Sequence, residues 1–294
     1  MKILVALENF SENSRMVLQS LQDGLSKDST EIKIITIIEP FESETGATVA
    51  ESIRRKRRGD AEKLLEAAQE FLETETDFEV TTEWLEAFKI HKVIVDAAKE
   101  WHADLIVLGS HSKSSLQRLL LGSSSHSVLL KAPCSVRVVK SQDINITDSL
   151  NVLIAVDGSA YSELVFKSVL SRSWPSDTNF KILTVIEPAL EYLVSDNPIE
   201  VLGEIADNLS VKERLRSYLV AKKLEVCRSL QSSNVEIELL EGDPREAILK
   251  KADKWQASLI FMGTKGRTGL ENLLLGSVSQ AVASYSKCSV EIVR

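Results

Sequence analysis

The sequence predicts an α/β protein made of two tandem domains of one fold, each a parallel sheet covered by helices on both faces. Three observations predict it. The second half repeats the first: Lys2-Ile3-Leu4-Val5-Ala6-Leu7-Glu8 lines up with Asn151-Val152-Leu153-Ile154-Ala155-Val156-Asp157, and Trp101-His102-Ala103-Asp104-Leu105-Ile106-Val107-Leu108-Gly109 answers Trp255-Gln256-Ala257-Ser258-Leu259-Ile260-Phe261-Met262-Gly263. Within each half, apolar strand-like runs alternate with helix-like segments, the pattern of a sheet built from crossover units. The polar stretch Ser141–Ser149 carries no apolar period and reads as a linker. Domains at 1–140 and 151–294 follow, joined by 141–150.

The elements of the second half can be taken in order. Strands fall near 151–156, 180–186, 235–240, 258–263 and 289–293, five in all, each a short apolar run of the kind buried in parallel sheets. A helix over 159–170 opens after Asp157-Gly158-Ser159, a group suited to capping; one over 211–230 is charged on one side; one over 244–255 starts with Pro244 at a favourable first-turn position. The last helix starts at Ser277-Val278 and ends near Tyr285. Open α/β sheets bind ligands at the carboxyl ends of their strands. Asp157, Val185 and Gly263 all lie at or near such ends, so their loops are expected to converge on one cleft.

Composition narrows the function classes. With 294 residues, 44% hydrophobic and 27% charged, the chain is an ordinary globular protein long enough for two domains. No apolar run has the length to cross a bilayer, and the chain opens on a strand-like run with no signal-peptide pattern, so a cytoplasmic protein away from the membrane is expected. Three cysteines, Cys134, Cys227 and Cys288, form no CxxC pair and indicate neither a disulfide framework nor a zinc site. A net charge of −8 argues against a general nucleic-acid surface.

The stretch with chemistry is Gly263-Thr-Lys-Gly-Arg-Thr-Gly-Leu-Glu-Asn-Leu-Leu-Leu-Gly276-Ser277, which follows a strand and enters a helix. Glycines let backbone N–H groups approach phosphate oxygens, and a helix start offers free N–H groups and the positive end of its dipole. The spacing is neither a dinucleotide fingerprint nor a Walker A loop. Gly263-x2-Gly266-x9-Gly276-Ser277 resembles the ATP-binding signature of the universal stress proteins. The resemblance implies a Rossmann-like fold for each half and an adenine nucleotide as ligand, with Mg²⁺ carried on the phosphates. It places Asp157 beside adenine and ribose, Ala155 and Val185 on the adenine pocket, and Gly263, Gly266, Gly276, Ser277 and Val278 on ribose and phosphate. Met262 is placed to pack on the base. Lys265 and Arg267 read either as phosphate partners or as solvated loop charges. In that family the last strand mediates dimerisation, and in tandem members the halves pair within one chain. The resemblance therefore implies an intramolecular pseudo-dimer here through the two last strands, and leaves a homodimer open.

The first half departs from the signature. Ser112 stands where Gly266 stands, Glu8 in place of Asp157, Asn9-Phe10 in place of Gly158-Ser159, and Phe88-Lys89-Ile90 in place of Gly242-Asp243-Pro244. The first-half site is expected to be degenerate, leaving one nucleotide per chain and a regulatory role. The rival readings are a slow ATPase or adenylyl-transferring enzyme, and a scaffold that binds no nucleotide. The irregular segment Ala189–Ser210 is the expected lid. His91, His102, His111 and His126 lack metal-ligand spacing, and the basic run Arg54–Arg58 sits among acids as a salt-bridged face.

Overall fold

The computed structural model describes residues 1–8, 11–22, 24–25, 30–41, 47–76, 78–110, 121–140, 149–187, 211–232, 234–266 and 275–294. The chain divides into two compact units, Met1–Ser141 and Gln142–Arg294. In the first, strands β1 (Lys2–Leu7), β2 (Glu31–Ile38), β3 (Glu79–Glu86), β4 (Leu105–Gly109) and β5 (Ser135–Val139) form a parallel sheet in the order β3-β2-β1-β4-β5. The helices between them are α1 (Glu12–Gln19), α2 (Ala47–Glu75), α3 (Ile90–Glu100) and α4 (Ser123–Lys131).

The second unit repeats this plan. Strands β6 (Asn151–Ala155), β7 (Asn179–Ile186), β8 (Val235–Glu241), β9 (Leu259–Gly263) and β10 (Ser289–Val293) run parallel in the order β8-β7-β6-β9-β10. Its helices are α5 (Ala160–Leu170), α6 (Val211–Ser229), α7 (Pro244–Lys254) and α8 (Ser277–Tyr285). In each unit the strand order thus reverses beside the first strand, where crossovers diverge and a crevice opens at the carboxyl ends. The strands expected from sequence agree with these to within a residue at either end, the usual uncertainty of element boundaries.

Both faces of each sheet are buried, which is why the central strands read as continuous apolar runs. On one face of the second sheet, Val152, Ile154, Ile182 and Phe261 pack under Val165, Phe166 and Val169 of α5 and Leu219 and Val226 of α6. In the first unit Ile3, Val5, Ile34 and Val107 pack under α1 and α2 through Val17, Leu64, Ala68 and Leu72. The same helix ending occurs twice. His102 and Gln256 take the left-handed conformation (φ 56 and 51), and the next N–H returns to the helix, Ala103 to Ala98 O and Ala257 to Ala252 O, both 2.9 Å. Asp104 N–H and Ser258 N–H then donate to Lys2 O and Asn151 O, each 2.8 Å, which fixes where β4 and β9 enter their sheets. Trp101 and Trp255, the residues before these turns, lie under Lys2 and Lys181 at 5.3 and 4.9 Å from ammonium to ring centre.

One buried polar pair belongs to the second unit. Glu291 of β10 is fully buried and accepts both arms of the Arg172 guanidinium, which lies over the Phe261 ring at 4.9 Å. The basic run of α2 is tied down as expected for a salt-bridged face: Arg58 meets Glu86 at 3.5 Å, Arg54 meets Glu51 at 3.9 Å, and Arg57 donates to Glu39 O at 2.6 Å.

Candidate functional site

The carboxyl ends of β6, β7 and β9 bring the expected apolar residues together. Ala155 pairs in register with Met262 on one side and Leu183 on the other. Because side chains alternate along a strand, Ala155, Met262, Leu183 and Val185 project from one face, opposite the face that carries Ile154, Ile182 and Phe261. Ala155 and Met262 are buried and Val185 is half-buried, so the last of them offers surface at the crevice.

Beyond β6 the chain turns through Gly158, whose φ of +79 suits glycine. Asp157 holds this turn. Its Oδ1 accepts from Ser159 N–H at 3.0 Å and Ser162 Oγ–H at 2.9 Å, while Ser162 Oγ accepts from the N–H groups of Asp157 and Gly158, both 3.1 Å. The turn's capping bonds are thus made by Oδ1, and Oδ2 points elsewhere. Oδ2 lies 2.8 Å from where a Cβ on Gly266 would stand, so it faces the loop glycine across a gap that admits no side chain.

The other two glycines are also required by close approach. A Cβ on Gly263 would lie 2.7 Å from the Cβ of Tyr161 on α5, and one on Gly276 would lie 3.1 Å from Thr264 O and 3.5 Å from Lys265 Cα. Neither has a positive φ. The Gly276 N–H donates to Thr264 O at 2.6 Å, so this group, expected from sequence as an anion donor, is committed to the backbone instead. The donors at this end are those of α8 itself. Gly276 provides no side-chain cap, and the first-turn N–H groups of Ser277, Val278 and Ser279 have no partner inside the helix. Ser279 Oγ–H donates to Gly263 O at 2.7 Å and ties the helix start to the end of β9. Ser277 is exposed and Val278 half-buried. Arg267 and the expected lid at 189–210 lie outside the described residues.

One cation at this end was not singled out by the sequence. Arg245, on the first turn of α7, reaches Ser277 with Nη2 3.4 Å from Oγ. Its backbone is set by Asp243, whose Oδ1 accepts from the N–H groups of Arg245 and Glu246 at 2.8 and 3.2 Å. Nearby, Tyr218 of α6 donates to Glu163 of α5 at 3.1 Å; burial and the Glu163 charge hold its phenol well above the ordinary value.

The corresponding end of the first unit keeps the frame and changes the chemistry. Ser125 Oγ–H donates to Gly109 O at 2.8 Å, matching the Ser279 bond, and α4 likewise starts at an N-cap glycine, Gly122, with no side-chain cap. The turn after β1 differs from the alignment expected. Ser11 is the N-cap of α1 as Ser159 is of α5, so Glu8-Asn9-Phe10-Ser11 is one residue longer than Asp157-Gly158-Ser159. Asn13 then stands where Tyr161 stands, its amide against Gly109. Before α3 the alignment expected also shifts: Ala87 N–H bonds Ile38 O as Gly242 N–H bonds Ile186 O, both 3.0 Å, so Phe88, 66% exposed, is an extra residue ahead of the N-cap Lys89. A cleft of about 470 Å³ remains among the described residues, with Glu8 and Glu39 and neither lysine nor arginine in its described lining. Ser112, with the rest of 111–120, lies outside the described residues.

The model of the universal stress protein family matches residues 1–140 and 150–294. A universal stress protein of Mycobacterium tuberculosis is 29% identical over 201 residues, 65% of this chain and 62% of that protein; the match thus spans less than two thirds of that relative. One from Mycolicibacterium smegmatis is 26% identical over 299 residues, 99% of this chain and 96% of its own. Among solved structures, a universal stress protein from Archaeoglobus fulgidus has the same fold, with a TM-score of 0.63 at 20% identity over 100% of this chain and 96% of that one. A second, from Pseudomonas aeruginosa, gives 0.64 at 16% identity over 99% and 92%. Two matches to one family model, one in each unit, together with a relative aligned over almost the whole of both chains, mean that the chain belongs to the universal stress protein family as a tandem, two-domain member.

Proposed function

We propose that the second unit binds one adenine nucleotide, ATP or its di- or monophosphate, and that the protein works as a nucleotide-dependent regulator. Membership of the family supports a role in the stress response. The observation that carries the nucleotide reading is the uncapped start of α8, fixed against the end of β9 by the Ser279–Gly263 and Gly276–Thr264 bonds. Its N–H groups and dipole favour an anion, and the side chain that would fill the cradle is absent at Gly266 and Gly276. Asp157 Oδ2 is placed to accept from a sugar hydroxyl, with Val185 beside the base. Mg²⁺, in this reading, is held by phosphate oxygens and supplies charge neutralisation there. The first unit, with two carboxylates in its cleft, is read as a structural partner that binds no ATP.

The test is nucleotide content of the purified protein by acid extraction and chromatography, with ATP titrated into wild type and Gly276→Val. The expected result is about one adenine nucleotide per chain in wild type and none in the variant, whose side chain would press on the Thr264 carbonyl. No nucleotide and no binding on titration would turn the reading to an interaction scaffold. Two per chain would overturn the silent first unit.

A further inference from the structure

We infer that Arg245 makes the second-unit site select nucleotides that carry a phosphate chain over the bare nucleoside; the inference rests on the nucleotide reading above. Three features of Arg245 support it. First, its position is built. Asp243 caps α7 and fixes the Arg245 backbone, and the guanidinium crosses to Ser277, the first residue of α8. Second, its charge is not taken up in an ion pair, whereas Lys251 of the same helix meets Glu238 at 2.5 Å. Among the described residues no carboxylate lies within ion-pair distance of Arg245, and its side chain has one hydrogen-bond contact, to the Ser277 hydroxyl.

Third, the place where that charge is held is itself electropositive. The start of α8 carries the partial positive charge of the helix dipole and N–H groups without helical partners. A guanidinium brought beside it is repelled by like charge unless an anion lies between them, and then both attract the same ion. A planar guanidinium with a fork of donors matches phosphate oxygens in a way an ammonium does not. Arg245 reaches Ser277, the first residue of the helix whose N–H groups face the anion in the proposed site, whereas Asp157 and Val185 stand at the ends of β6 and β7. Arg245 therefore acts on the phosphate chain and leaves recognition of the nucleoside to the rest.

The first unit supplies an internal contrast. One residue into α3, where α7 has Arg245, stands His91; the N-cap before it is Lys89, which makes no side-chain capping bond. Nothing in that unit's described lining reproduces the guanidinium.

The experiment is calorimetric titration of ATP, AMP and adenosine into wild type, Arg245→Ala and Arg245→Lys, at low and high salt. Because the guanidinium is exposed, Arg245→Ala is expected to weaken ATP about tenfold, less at high salt, and to change adenosine by less than about twofold. Arg245→Lys should fall between, keeping the charge and losing the fork. If wild type binds ATP and Arg245→Ala binds it equally well, the inference is overturned and the nucleotide reading stands. An equal loss for ATP and adenosine overturns it too, since that is the signature of a distorted cleft. If wild type binds none of the three, the nucleotide reading itself has failed and this inference with it.

Discussion

Gly263 and Gly109 end equivalent strands, yet replacing each by alanine should have different consequences. At Gly263 the new methyl would stand 2.7 Å from Tyr161 Cβ and 3.4 Å from Tyr161 O. Both atoms belong to the first turn of α5 and cannot move without shifting the helix, and overpacking of this kind costs about 1–3 kcal/mol. Alanine also stiffens the unfolded chain, which offsets about 0.4–1 kcal/mol where the backbone tolerates it, as here, with φ not positive. The net loss lies between about 0 and 2.6 kcal/mol, centred near 1.3. At Gly109 the methyl meets instead the end of the Asn13 side chain, Nδ2 first, then Cγ at 3.0 Å and Oδ1 at 3.2 Å. Rotating Asn13 relieves the contact for roughly 0.5–1 kcal/mol, and the entropic gain nearly cancels it. Urea unfolding followed by tryptophan fluorescence can read both, with Trp84 and Trp101 reporting the first unit and Trp174 and Trp255 the second. For Gly263→Ala a midpoint lowered by roughly 0.7 M is expected at a slope of about 2 kcal/mol per molar; for Gly109→Ala, almost no shift. Equal shifts, or a larger one for Gly109→Ala, would refute the argument that these glycines are set by what faces them.

Glu291→Gln should destabilise the second unit by about 3–5 kcal/mol, because it leaves the Arg172 guanidinium buried without its carboxylate. Replacing both by apolar residues should cost much less than the sum of the single changes, measured as a coupling in denaturant unfolding. Tyr218 keeps its proton in the folded state above the pH at which the unfolded chain loses it, so the stability it contributes is present below about pH 10 and declines as pH rises further. Tyr218→Phe should flatten that alkaline decline in a series of thermal unfolding curves.

Strands and repeat were legible because a buried parallel strand leaves a continuous apolar run, and runs such as Leu259-Ile260-Phe261-Met262 recur in each half. What the sequence hid depends on partners from distant segments. Gly276 reads as an anion donor until its N–H is seen to bond Thr264, and Asp157 reads as cap or ligand contact until its Oδ1 is seen in the cap and its Oδ2 against Gly266. The extra residue between Glu8 and Ser11 falls in a polar turn with no period to expose an insertion. Arg245 lies 32 residues before Ser277, so only the packing of α7 against α8 joins them. The burial of Glu291 within its β-branched strand depends on Arg172, 119 positions away, which no local pattern announces.

The bond between Gly276 and Thr264 closes a ring in the main chain. Whatever the intervening segment does, it departs and returns at one point, so the sheet does not register its length. Lengthening such a closed excursion is cheap, about 0.6 kcal/mol for each doubling. On this closure term alone, a longer connection between Gly266 and Leu275 costs the scaffold little, so selection has room to retune what the proposed site recognises. A library confined to residues 267–274 should yield variants that differ widely in ligand preference and little in melting temperature.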